Sequence, residues 1–200
     1  MTLSIIIPAY NESHRLGGTF QKIADAWAKG PVEGIELAEV IVADDGSTDD
    51  TAAIADAWRD RLSVQCLRLP KNRGKGAAVR TGVKAARGEW VLLYDADAAT
   101  PVTEIPKLFR AVARDGSDIA IGSRVLTDAS SSVSMQPHRR LIGRIYHRLC
   151  AKLVPGIRDT ACGCKLLRAD VAARLFGLQR IDRFAFDVEV LALALKLGYT

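Results

Sequence analysis

The first 125 residues alternate between short apolar runs and stretches with helical spacing. Residues 3–8 form a near-continuous apolar run and predict a buried strand. Across 18–29, Phe20, Ile23, Ala24 and Trp27 share one helical face. A second strand is expected at 37–43, and a helix at 51–62 behind the cap-rich run Ser47-Thr48-Asp49-Asp50. The alternation continues with a strand at 64–69, a helix at 75–86, a strand at 90–94, a helix at 103–114 and a strand at 119–122. Apolar strands separated by helices imply a mainly parallel sheet covered on both faces, an α/β domain.

Length and composition narrow the classes. A chain of 200 residues with 48% apolar content suits one such domain and excludes wholesale disorder. No stretch approaches the ~20 apolar residues that span a bilayer. The longest candidate, 188–197, is broken by Glu189 and Lys196. Met1-Thr2 runs straight into the first apolar stretch, without the charged region of a secretory signal. Cys66, Cys150, Cys162 and Cys164 form no CxxC pair and read as ordinary thiols in a reduced, cytoplasmic setting. The net charge of +5 is mild, so its placement matters more than its total.

In parallel sheets, ligands sit outside the carboxyl ends of the strands. The polar clusters fall at those ends. Strand one runs into Pro8-Ala9-Tyr10-Asn11-Glu12, strand two into Asp44-Asp45-Gly46-Ser47, and strand four into Asp95-Ala96-Asp97. One such tip reads as turn and cap chemistry. Three on one edge read as a site. Asp95 and Asp97 are hard oxygen donors suited to Mg²⁺ or Mn²⁺ beside a diphosphate. The Asp44-Asp45 tip supplies a carboxylate that suits a base N–H, Tyr10 suits a stacked base, and Glu12 a nearby polar group. Asn72-Arg73-Gly74-Lys75-Gly76 opens a helix with backbone N–H groups and cations that suit phosphate. Its spacing is not that of a P-loop. Arg124 puts another cation past strand five.

After residue 125 the pattern changes. A Ser-rich loop is expected at 127–134 and an amphipathic helix at 134–154, with Leu141, Ile142, Ile145, Leu149 and Leu153 at helical spacing. Arg139, Arg140, Arg144, Arg148 and Lys152 surround that stripe. The helix reads either as a membrane-surface element or as a core helix with a solvated basic face. Its basic residues lack interleaved aromatics, which argues against nucleic acid. Residues 156–166 read as a polar, Gly-containing turn region, and 183–189 open a final helix. There Asp187 and Glu189 answer either the helix dipole or the active site.

Taken in order, Ile-Pro-Ala-Tyr-Asn-Glu (7–12), Asp-Asp-Gly-Ser (44–47), Asn-Arg-Gly-Lys-Gly (72–76), Asp-Ala-Asp (95–97) and Gly-Ser-Arg (122–124) resemble glycosyltransferase family 2, of GT-A fold. Residues 156–167 and 183–189 narrow the resemblance to dolichyl-phosphate β-glucosyltransferases and prokaryotic polyprenyl-phosphate relatives. The resemblance implies a single Rossmann-like domain. Its nucleotide-sugar-binding core is 1–125, and 126–200 is an acceptor and membrane-interface part with amphipathic helices, cut short at its C-terminus. It implies inverting transfer of glucose from UDP-glucose to a polyprenyl monophosphate, by an enzyme peripheral on the cytoplasmic face of a membrane.

By position, Pro8, Tyr10, Glu12 and Asp45 would hold the nucleotide, with Lys75 and Arg124 at phosphate. Asp95 and Asp97 would hold Mg²⁺ or Mn²⁺ and diphosphate, with Asp97 the stronger ligand. Arg139 and Arg140 would meet the acceptor phosphate, which favours the membrane reading of their helix. A phosphate acceptor is already anionic, so little base catalysis is required. If a base acts, Asp187 is the first candidate and Asp159 the second. Ala99 stands where mannosyl-type relatives carry a metal-binding Gln, which leans towards the glucosyl type. The alternatives are GDP-mannose as donor, a glycan hydroxyl as acceptor, or a binding module without catalysis.

Overall fold

The computed structural model describes residues 1–28, 30–122, 153–157, 159, 160 and 162–200. Six strands form one sheet in the order β3-β2-β1-β4-β6-β5. They are β1 (Thr2–Ala9), β2 (Glu36–Asp44), β3 (Val64–Arg68), β4 (Trp90–Leu93), β5 (Ile119–Ile121) and β6 (Lys165–Arg168). The first four are mutually parallel, whereas β6 runs antiparallel to both β4 and β5. The helices are α1 (Ser13–Trp27), α2 (Thr51–Ala57), α3 (Arg59–Leu62), α4 (Lys75–Ala85), α5 (Ile105–Asp115), α6 (Ala169–Leu178) and α7 (Phe186–Leu197).

Side chains alternate across the sheet and build a core on each face. Ile5 and Ile7 point to the face covered by Leu16, Phe20 and Ile23 of α1 and by Phe109 and Val112 of α5. Ile6 and Ile41 point to the other, under Val79 and Val83 of α4, Phe176 of α6 and Phe186 of α7. At Gly82 a Cβ would stand 2.5 Å from Ile6 Cγ2, so the missing side chain lets α4 lie close on the sheet.

Three local expectations change. The first helix begins at Ser13 rather than residue 18, because it packs on α2, where Gly17 faces Ile54, and this contact outweighs the weak propensity of Gly17 and Gly18. The expected helix 51–62 breaks at Trp58, whose N–H closes a tighter turn on Ala55 while its ring packs on Phe20 at 5.6 Å. The expected turn region 156–166 gives way to β6 at its end: Lys165 lies in register between Leu93 and Ile121. Four residues that open on a lysine carry no readable strand period, so only the pairing reveals the strand. The sheet is therefore completed by a segment from beyond residue 125. The expected helix 134–154, with Arg139 and Arg140, lies almost wholly outside the described residues, as does Arg124.

Candidate active site

Each parallel strand ends at the same edge, and the loops there are tied to one another. The Asn11 N–H donates to Ser47 Oγ at 2.9 Å, and the Thr48 N–H donates to Asn11 Oδ1 at 2.9 Å. Asn11 itself is left-handed, φ 55°, a conformation that Asn tolerates better than most residues. The buried Asp45 accepts from the N–H of Arg73 at 2.8 Å and of Gly74 at 2.7 Å. This carboxylate thus fixes the loop that opens α4. Gly74 has φ 114°, and a Cβ there would stand 2.6 Å from the Asp182 carbonyl. Both counts require glycine.

Between these loops lies a cleft of about 500 Å³. Pro8, Tyr10, Glu12, Asp45, Lys75, Asp95 and Asp97 all line it, so most of the sequence-derived residues converge. Lys75 Nζ meets Asp95 Oδ1 at 2.6 Å. On its other side Asp95 packs against Gly163, where a Cβ would fall within 2.5 Å of Oδ1. Asp97 is exposed and accepts from the Ala99 N–H at 3.0 Å, in a turn that puts Ala98 at φ 48°. Of the two acids Asp97 is the freer. Among the described residues no cluster of three or more His, Cys, Asp or Glu is placed to hold a metal. Two carboxylates that leave further positions to water and phosphate oxygens fit the way Mg²⁺ and Mn²⁺ are commonly held.

Asp187 does not line the cleft. Its Oδ1 accepts from Lys165 Nζ at 2.5 Å, and that buried ammonium also donates to the Cys162 carbonyl at 2.6 Å. Burial pushes the Asp187 carboxyl up, against the pull of Lys165 and of Lys75, while Asp95 adds to the rise. Glu189 turns away from this group: its two oxygens accept the N–H groups of Arg180 and Ile181 at 2.9 and 2.8 Å. Asp159 lines a second cavity of about 480 Å³ with Ile119, Leu191 and Tyr199.

Five further residues at or beside the cleft were given no individual role from the sequence. Lys165 had no signal beyond its type. Arg183 and Phe184 also line the cleft, the latter 80% exposed. Asp182 pairs with Arg80 at 2.5 Å and with Arg73 at 2.9 Å, so the α4 loop and the segment before α7 are locked together. Its carboxyl is held below the usual range by Arg80 and Arg73, against some desolvation. Gln179 Nε2 adds a bond to the Gly76 carbonyl at 3.0 Å.

The chain is similar to several known proteins. The dolichyl-phosphate β-glucosyltransferase of Mus musculus is 38% identical over 202 residues, covering 96% of this chain and 62% of the relative. That of Homo sapiens is 37% identical, with 96% and 62% covered. That of Drosophila melanogaster is 38% identical, with 98% and 64% covered. The chain thus spans about three-fifths of the length of these relatives. In fold it superposes on glucosyl-3-phosphoglycerate synthase of Mycobacterium tuberculosis with a TM-score of 0.71, at 22% identity, covering 98% of this chain and 67% of the other. A structure of that synthase holds Mn²⁺, UDP and glucosyl-3-phosphoglycerate; its TM-score is 0.70 at 19% identity, with 98% and 66% covered. The family model described as "Glycosyl transferase family 2" matches residues 4–176, so the chain belongs to glycosyl transferase family 2.

Proposed function

We propose that this protein transfers glucose from UDP-glucose to a polyprenyl monophosphate at the cytoplasmic face of a membrane, with inversion at the anomeric carbon. The observation that carries the donor half is the convergence of Tyr10, Asp45, Lys75, Asp95 and Asp97 on one cleft. The acceptor half rests on relatives named for glucosyl transfer to dolichyl phosphate.

In this reading Pro8, Tyr10, Glu12 and Asp45 hold the uridine. Because Asp45 is already bonded to the α4 loop, it links nucleotide and phosphate binding. Asp97, helped by Asp95, would hold Mg²⁺ or Mn²⁺, which when bound offsets charge on the departing diphosphate. Lys75 stands 2.6 Å from Asp95 and supplies a second positive group there. Arg124 would add a third, and Arg139 and Arg140 would bind the acceptor phosphate; these three lie outside the described residues. An oxygen of the acceptor phosphate attacks the anomeric carbon, and the bond to the β-phosphate oxygen breaks with its electron pair leaving on UDP. No proton need be removed, so catalysis is alignment and charge neutralisation.

A second reading, a glycan hydroxyl acceptor, is favoured by one observation: burial raises the Asp187 carboxyl, as suits a base. The Lys165 pair argues against it, since that oxygen already holds a proton donor. Incubation of the protein with labelled UDP-glucose, Mg²⁺ or Mn²⁺ and a polyprenyl phosphate in detergent should yield chloroform-soluble label. Transfer from GDP-mannose but not from UDP-glucose overturns the donor. Asp187→Asn should lower turnover only modestly; its abolition with donor binding intact would favour the hydroxyl acceptor.

A further inference from the structure

The end of α6 and the connection to α7 turn apolar and basic side chains outward, and Arg183 and Phe184 among them line the cleft. Leu178 is 38% exposed, Ile181 40% and Phe184 80%, and exposed Arg180 and Arg183 alternate with them. Exposed apolar side chains this dense within seven residues are costly in water. The polar groups of the same connection are turned inward. Glu189 accepts the N–H of Arg180 and of Ile181. Gln179 donates to the Ile181 carbonyl at 2.7 Å, and the Ala77 N–H donates to the Asp182 carbonyl at 3.0 Å. The acid in the segment, Asp182, is neutralised by Arg73 and Arg80. What faces outward is therefore apolar and cationic, over backbone groups that largely have partners.

This combination matches the boundary of an anionic bilayer. Apolar side chains enter the acyl region, guanidinium groups remain among phosphates, and satisfied backbone groups need no water. We propose that residues 178–184 are a membrane-docking edge that seats the mouth of the cleft on an anionic lipid surface. Arg183 and Phe184 line the cleft itself, so an edge seated this way brings a lipid-borne phosphate to the donor. The proposal assigns docking to this connection rather than to the basic segment 134–154 alone. It rests on the reading of a lipid-linked acceptor.

The test is co-sedimentation of the full chain with phosphatidylcholine vesicles containing phosphatidylglycerol, without donor or acceptor. Its outcome is thus separate from that of the transfer assay in detergent. Wild-type protein should partition. Ile181→Ser with Phe184→Ser should weaken partition by about tenfold or more. Arg180→Gln with Arg183→Gln should weaken it by a comparable factor and flatten its salt dependence. Phe184→Trp should gain fluorescence that brominated lipid quenches, a readout that does not depend on the serine variants folding. Failure of the wild type to bind, undiminished binding of the serine pair, or added fluorescence in the Phe184→Trp variant that bromolipid leaves unquenched each overturns the proposal.

Discussion

Gly163 carries the sharpest prediction about the acidic pair. It sits two residues before β6, against the Asp95 carboxylate. A Cβ built there stands 2.5 Å from Oδ1, with Oδ2 and Cγ closer still, whereas real Cβ atoms keep 3.0 Å or more. The φ of Gly163 is not in the left-handed region, so Gly163→Ala acts through this contact rather than through backbone strain. The yielding side is the Asp95 carboxylate, the end of a side chain, rather than backbone. The Cys162 carbonyl is held by Lys165 Nζ, and Asp95 is held by Lys75. The carboxylate must swing by roughly 1 Å, and a misplacement of that size in a reacting geometry costs about 10²-fold. Overpacking of this kind also lowers stability by about 1–3 kcal/mol. Two assays check this: kcat/KM for donor turnover across a Mn²⁺ titration, and UDP binding by calorimetry with and without Mn²⁺. We expect a fall in kcat/KM of about two orders of magnitude, weaker metal dependence, and metal-free UDP binding close to wild type. A Gly163→Ala protein with unchanged metal dependence and turnover would refute the argument that this contact sets the position of Asp95.

Two further outcomes follow from the charges. Asp187→Ala leaves Lys165 buried with the Cys162 carbonyl as its one remaining hydrogen-bond partner among the described residues, and breaking a buried pair costs about 3–5 kcal/mol, so the melting temperature should fall by roughly 10 °C. The double change Lys165→Met with Asp187→Leu should recover much of this, and an unchanged Tm in the single variant would sink the idea. Asp182 titrates in the folded state below its usual value of 3.8, so its contribution is full above that pH and fades as pH falls through the folded value. The Tm difference between wild type and Asp182→Asn should therefore shrink on acidification from about pH 6 to pH 3; a constant difference would show that the pair with Arg80 and Arg73 is not its source.

Five strands were legible because continuous apolar runs are what a doubly covered sheet requires, and Ile5, Ile6 and Ile7 are buried on alternate faces as expected. The acidic tips were legible because parallel strands deliver their carboxyl ends to one edge whatever the loops do. Helix limits were less so: Gly17 and Gly18 argue locally against the helix that packing on α2 imposes. Nor could spacing separate Asp187 from Glu189. Two residues apart on one helix they face differently, one towards Lys165 and the other towards the 180–181 backbone.

The amino-acid pattern by itself determined an α/β sheet, the edge at which its parallel strands end, and the acids and glycines gathered there, since each follows from local periodicity and residue type. Only the tertiary structure decided which charges meet. Lys165 enters the sheet through a four-residue strand and reaches Asp187, and Asp182 joins two loops more than 100 residues apart in the chain. Desolvation and ion pairing depend on distances in space between segments whose separation in sequence carries no such information, so neither partner could be read from its own surroundings.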